Sequence, residues 1–379
     1  MLFLKILTIL VCTRTAFASD PKVVLIGHAA NFSDVSQSAI NPYNRAVTNG
    51  LEFAVEKNLD KLKAKKLEIR IQNFDYGNKE TSALSTARDI IDSSVVAVIG
   101  FYESSQSLLA APELQKARIP LISPVASATR LFQIGPYIHP MSFSNQDMGV
   151  ALARLADKKV KAKNALIISA ADCAYCSDLA NAFEKEARLL KIKIDRVEVL
   201  NEDASFEKVD QIVMGKRYDA VVVPNYELSS AKIVSHLMKA GINTVFLGGD
   251  GWGNAAGSGF FQIVTDKNFI GYCVAHWHPE MANSMGKTFI RQWKAKFGSV
   301  PTMDSAMAFD SMNRLIEAIL KSKAPDRENI QNALASNRIY EGVTGTAKYS
   351  GTSSSLEKPM VFLKSDVRNK KFVLLKTLR

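Results

Sequence analysis

VVAVIGFYESSQSLLAAPELQKARIPLISPVASAT, residues Val95–Thr129, decides how this chain folds. Its two apolar runs, Val95–Gly100 and Ile119–Ser123, have the length and composition of strands buried on both faces of a parallel sheet. Ser107–Lys116 between them reads as a helix, so the segment is a strand–helix–strand crossover, right-handed as such connections are. Small hydroxyl residues follow each strand: Ser104, Ser105 and Ser107 after the first, then Ser123, Ser127 and Thr129 at the second. Ligands of open parallel sheets sit beyond the carboxyl ends of the strands. Two such ends, with hydroxyls and helix-start N–H groups, form a cradle for a small anion such as a carboxylate. Neither loop carries a nucleophile beside a base. They are suited to hold a solute rather than to convert it.

The same alternation continues on both sides. Upstream come strand Val23–Gly27, helix Tyr43–Asn58, strand Leu67–Phe74 and helix Lys79–Asp92, giving a βαβαβαβ layer. After Tyr137–Asn145 a second set begins: helix Asp147–Asp157, strand Ala165–Ser169, helix Ser177–Leu189, strand Lys193–Val199, helix Phe206–Met214 and strand Ala220–Pro224. Helix Ser229–Ala240 and strands Thr244–Gly248 and Phe269–Val274 complete it. Helices Met281–Phe297 and Asp304–Lys321 have no parallel strand between them and are expected to return over the first layer. Gly342–Tyr349 and Phe372–Lys376 read as closing strands. No low-complexity linker separates the halves, so two α/β lobes hinged around a cleft are expected.

Residues 1–18 carry Lys5, the apolar stretch Ile6–Val11 and the small-residue signal Ala16-Phe17-Ala18, the pattern of an export leader cleaved after Ala18. A starting helix of the mature fold is the alternative, which Ser19–Pro21 would break. Cys12 follows Val11, not the small residue that lipidation needs. Cleavage leaves 361 of the 379 residues, comfortable for two domains, and takes the net charge from +11 to +9 with the loss of Lys5 and Arg14. The basic residues are scattered (Lys57, Lys61, Lys63, Lys65, Lys66; Lys158, Lys159, Lys161, Lys163) without interleaved aromatics. They read as solvated helix ends, not as a nucleic-acid surface.

Three cysteines remain after cleavage, too few for a disulfide scaffold. Cys173-Ala-Tyr-Cys176 has redox-motif spacing, and a local disulfide, with Cys273 free, suits an oxidising compartment. His276-Trp-His278 would set two imidazoles on one face of a strand, but no acidic partner is in register, so no metal is expected. No cofactor motif is present either: G-x-G-x-x-G after a strand, G-x-x-x-x-G-K-[ST] and G-x-S-x-G are all missing, which argues against an enzyme.

The second set offers side chains at its own strand ends: Tyr175 near a helix start, Asn225-Tyr226-Glu227, and Gly249-Asp250-Gly251-Trp252. Packing explains an aromatic at a strand end, and Asp between glycines is ordinary turn chemistry. An acidic group facing a hydroxyl-lined anion cradle across a cleft also matches a zwitterion, with charge-assisted bonds at both ends.

Val95–Gly100 with Ser104-Ser105, Pro120-Leu-Ile-Ser-Pro-Val-Ala-Ser-Ala-Thr129, Phe246-Leu-Gly-Gly-Asp-Gly251 and Phe309-Asp310 together resemble the solute-binding proteins of branched-chain amino acid importers. The resemblance spans nearly all of the mature chain. It implies the type I periplasmic binding fold: two doubly wound, Rossmann-like α/β lobes joined by three crossings, here residues 19–142 plus 276–350 and 143–275 plus 351–379. It implies a periplasmic, monomeric, non-enzymatic protein that delivers a small ligand, an amino acid or close relative, to the permease of an ABC importer. A sensing protein of the same fold, feeding a chemoreceptor or signalling partner, is the alternative. Ser104 and Ser127, with Ser105 and backbone N–H groups near Val125, stand where the family holds the ligand carboxylate. Tyr175 and Tyr226 stand where its aromatics close over the ligand, and Asp250 where an acidic residue takes the ammonium. Three departures bear on which ligand is bound. The loop Ala29–Tyr43 is long and polar, Glu103 adds a possible second charge, and cysteines flank Tyr175.

Overall fold

β1 (Lys22–Ala30) runs between β2 (Leu67–Asp75) and β3 (Ala97–Gly100), parallel to both, with Ile26 opposite Ile71 on one side and Ala97 on the other. β4 (Leu121–Ser123) and β5 (Ile138–Pro140) extend the sheet beyond β3, so its order is β2-β1-β3-β4-β5 with all pairs parallel. β3 and β4 are buried along their whole lengths, as strands covered by helices on both faces must be. The computed structural model describes residues 20–32, 42–77, 80–200, 206–252, 259–350 and 355–375. The expected leader and most of the loop Ala29–Tyr43 lie outside them.

The helices of this layer are α1 (Pro42–Lys57), the short α2 (Leu59–Ala64), α3 (Glu80–Asp92) and α4 (Ser104–Lys116). α4 buries Ser104, Ser107, Ala110, Ala111 and Leu114, a single stripe at helical spacing. It starts three residues before the expected Ser107, so Ser104 and Ser105 lie in its first turn, where backbone N–H groups have no helical acceptor. Gly100 is forced by packing: its φ is +147°, and a Cβ there would overlap the Ala29 carbonyl of β1.

α5 (Asn145–Leu155) opens the second layer with a capping box, Ser144 accepting from the Asp147 N–H while Asp147 accepts from Ser144. β6 (Asn164–Ala170), α6 (Ala174–Leu189), β7 (Lys193–Val199), α7 (Glu207–Val213), β8 (Ala220–Val222), α8 (Glu227–Lys239), β9 (Val245–Gly248), α9 (Phe260–Ile263) and β10 (Ile270–Ala275) follow. Their parallel strands pair in the order β10-β9-β8-β6-β7. α10 (Ser284–Phe297) and the long, mostly buried α11 (Met303–Lys321) then leave this layer, and α11 packs along α1 and against β4. The expected return over the first layer is therefore observed.

The C-terminal quarter is richer than its sequence reading. α12 (Arg327–Ser336), N-capped by Asp326, went unread; Arg327 donates to the carbonyls of Ser93 and Val95. The strand expected over Gly342–Tyr349 is a hairpin, β11 (Ile339–Gly342) turning at Val343-Thr344 into β12 (Gly345–Ser350), with β13 (Ser355–Glu357) beside it. The Asp310 carboxylate accepts from the N–H groups of Val343 and Thr344, which makes the turn tertiary rather than local. β14 (Val361–Asp366), also unread, and β15 (Lys371–Leu374) add two antiparallel strands to β10 at the edge of the second sheet. The chain thus passes between the two large sheets three times, after β5, after β10 and between β13 and β14.

Candidate functional site

The carboxyl ends of β3 and β4 bring Ser104 and Ser127 together. Ser104 Oγ accepts from the Ala128 N–H at 3.2 Å, and no acceptor holds its own proton among the described residues. Ser127 differs, because its hydroxyl donates to Asn145 Oδ1 at 2.8 Å. Both serines are buried, with Val125 beside them on the same loop. Ser105 Oγ accepts from the Ala174 N–H at 3.2 Å, a contact between the first turns of α4 and α6.

From the other layer, Tyr175 in the first turn of α6 stacks on Tyr226, the N-cap residue of α8, with ring centroids 5.0 Å apart. The Tyr175 hydroxyl accepts from the Gly251 N–H at 3.0 Å. Gly249 makes room for it, since a Cβ at that position would strike the same hydroxyl. The Asp-between-glycines motif is thus a seat for Tyr175 as well as a turn. The Tyr226 hydroxyl faces the Ser104 N–H. A continuous line runs from Gly251 through the two tyrosines to the serine cradle on the opposite side.

Asp250 lies at the start of the 3-10 turn Asp250–Trp252. Its Oδ2 is 3.0 Å from Nε2 of His276, whose side chain is completely buried against Phe143. The Tyr175 hydroxyl also lies against this carboxylate, and the other oxygen, Oδ1, is buried without a hydrogen-bond partner among the described residues. Burial, and then the Asp250 carboxylate, raise the Tyr175 hydroxyl well above its usual pKa, so it stays protonated. The expectation that no carboxylate accompanies His276 is corrected: β10 stops at Ala275, the chain turns, and the imidazole meets Asp250. His278 instead accepts the Glu280 N–H. Trp252 is also corrected as a site aromatic. It is buried among Phe260, Phe269 and Phe372 and donates to the Val223 carbonyl at 2.8 Å.

Several residues escaped the sequence reading. Asp178 Oδ2 accepts from the Thr129 N–H at 2.7 Å and from Asn145 Nδ2 at 3.1 Å, tying α6 to the β4 loop. Asn145 joins this tie to Ser127. Glu103, which the sequence offered as a second charge, accepts from the Tyr76 hydroxyl at 2.5 Å, a partner the sequence did not show, and the Tyr102 hydroxyl lies 3.1 Å from His28 Nε2. No local pattern announces these pairs, whose members come from different elements of the chain. Cys173 and Cys176 are joined, with sulfurs 1.98 Å apart, and Cys173 Sγ also accepts from the Cys176 N–H at the head of α6. Cys273 is buried and free. No group of three potential metal ligands converges among the described residues.

Residues 26–371 match the model of a family described as periplasmic binding protein. The chain belongs to that family. Its members bind solutes and are not a family of enzymes. A leucine-binding protein from Thermotoga maritima superposes with a TM-score of 0.83 at 23% identity, covering 93% of this chain and 97% of that one. The branched-chain amino acid transporter substrate-binding protein from Streptococcus pneumoniae, in complex with isoleucine, gives 0.79 at 24% identity, covering 93% and 98%. A solute-binding protein of an ABC transporter from R. palustris, in complex with benzoate, gives 0.79 at 18%, covering 93% and 95%. These likenesses carry the fold: a periplasmic binding architecture of two α/β lobes. No curated protein sequence matches the chain. No helix among the described residues is long and apolar enough to cross a membrane.

Proposed function

We propose that the protein, exported to the periplasm and cleaved after Ala18, captures an amino acid or close relative between its lobes and hands it to an ABC importer. The observation that carries this reading is the Oδ1 of Asp250, buried without a partner among the described residues, beside the Tyr175–Tyr226 stack that reaches the first turn of α4. Desolvating one carboxylate oxygen without a partner is costly, and an ammonium group of the ligand removes that cost. Ser104, with a free proton and helix-start N–H groups around it, takes the ligand carboxylate. Ser105 and Ser127 brace the cradle, Val125 lines it, and the Tyr175–Tyr226 stack covers the ligand between the charges. Lobes comprising residues 19–142 plus 276–350 and 143–275 plus 351–379 close over it, each protein acting as a monomer without catalysis. Benzoate in a relative marks the other ligand class open to the fold, but an aromatic acid would leave Asp250 without a counter-charge.

Calorimetry against the twenty amino acids and 4-hydroxybenzoate tests the reading, with solution scattering of the same samples. Binding of an amino acid with a fall in radius of gyration is expected. Binding of the aromatic acid alone would overturn it.

A further inference from the structure

Glu103 directly precedes Ser104. It is the N-cap residue of α4, yet its side chain caps nothing; the carboxyl turns instead to Tyr76 at the end of β2. Tyr76 stacks on Phe101 with centroids 5.4 Å apart and also accepts the Tyr102 N–H, so the carboxyl is fixed in place. Burial pushes it above the usual carboxylate range, and the Tyr76 hydroxyl offsets only part of that effect. Glu103 and Asp250 both act on Tyr226, and Glu103 and Asp304 act on Tyr102. Two carboxylates, one from the head of α4 and one from the turn after β9, thus act on the tyrosine stack.

This arrangement conflicts with a ligand whose only charges are one carboxylate and one α-ammonium. Its carboxylate, held at the Ser104 end of α4, would lie next to a second carboxylate with no cation between them. Asp250 Oδ1 already accounts for the α-ammonium.

We propose that the ligand is an amino acid whose side chain ends in a positively charged group, and that Glu103 receives that group while Asp250 holds the α-ammonium. This rests on the amino-acid reading of the cleft and sharpens it. Such a ligand supplies a counter-charge at Glu103, a half-buried carboxylate whose partners, the Tyr76 hydroxyl and its own backbone N–H, are both neutral. Selectivity against leucine then follows from leaving Glu103 without a counter-charge in the closed cleft.

The test is calorimetry of the purified protein and of Glu103→Gln with L-arginine, L-lysine, L-ornithine, L-leucine and 4-hydroxybenzoate. The amide keeps an acceptor for Tyr76, and equal melting temperatures confirm that the variant folds. The parent protein is expected to bind at least one basic amino acid more tightly than leucine, and Glu103→Gln to weaken that ligand about 30-fold while changing leucine less than about threefold. Leucine bound more tightly than all three basic amino acids would overturn this inference and leave the amino-acid reading standing. Binding of 4-hydroxybenzoate alone would overturn both.

Discussion

Nε2 of His276 lies 3.0 Å from Oδ2 of Asp250, and the imidazole is wedged against Phe143 with ring centroids 4.0 Å apart. The histidine comes from the crossing that follows β10, the carboxylate from the turn after β9. One oxygen of Asp250 is thereby fixed by the protein, and the proposed function assigns the other to the ligand. A chain segment that joins the two layers thus orients a group in the site itself.

Replacing His276 by leucine removes this donor and lets the carboxylate rotate. Ligand affinity should fall about tenfold, the ~1.4 kcal/mol expected of one charge-assisted hydrogen bond. His276→Asn, which retains a donor, should recover much of the loss. Calorimetry of both variants alongside thermal melting checks this, and equal losses in the two would refute the orienting role.

Asp178 accepts the Thr129 N–H and Asn145 Nδ2 together, linking α6 to the loop after β4. Asp178→Ala leaves both donors without that acceptor. Ligand should dissociate about fivefold faster, since one such contact contributes about 1 kcal/mol. Stopped-flow tryptophan fluorescence reads the rate, and an unchanged rate would show that the contact does not hold the two elements together.

Burial, with Arg314 nearby, lowers the pKa of His139 from 6.5 to about 3, although Gln331 Oε1 at 2.7 Å partly opposes the shift. The unfolded chain therefore binds the proton more readily than the folded one between these values. The stability from a neutral His139 is complete above about pH 6.5 and is lost as the pH falls toward 3. The loss is on the order of 2–4 kcal/mol. His28, lowered to about 4 by burial, acts in the same direction. The urea midpoint should fall between pH 7 and pH 4.5, and fall less in His139→Gln. Equal falls in parent and variant would assign the effect elsewhere.

The cysteines give a chemical check. Cys273 is buried, and burial followed by the Asp250 carboxylate raises its thiol pKa far above the usual value, so it is unreactive in the folded state. Without reductant, iodoacetamide should leave the native exported protein unmodified and should label Cys273 alone after unfolding. Labelling of Cys173 and Cys176 as well would show that they are not joined.

The parallel layers were legible because their strands, such as Ala97–Gly100 and Leu121–Ser123, are short apolar runs between amphipathic helices. Edge and crossing elements were not. β14 alternates only briefly along Val361–Asp366, and the hairpin at Val343-Thr344 is held by Asp310, more than thirty residues earlier in the chain. α12 carried a readable signal, Asp326 three residues before Asn329, within a stretch taken as connection. Among the candidate site residues, those set by strand ends (Ser104, Ser127, Tyr175, Tyr226, Asp250) could be picked out by position. The pairings of Asp250 with His276 and of Ser127 with Asn145 could not, because tertiary packing alone brings those residues together. The sequence also treated the two serines alike, whereas the Ser127 proton goes to Asn145 and that of Ser104 has no acceptor among the described residues.

The most direct test of the account compares Asp250→Asn with Ser104→Ala by calorimetry, using the amino acid that the parent protein binds most tightly. Ser104→Ala should cost ~1–2 kcal/mol, because the N–H groups at the head of α4 remain. Asp250→Asn should cost ~3 kcal/mol or more, because it strips the counter-charge from a desolvated ammonium. Asp250→Asn binding that ligand as tightly as the parent protein would contradict the account at its centre.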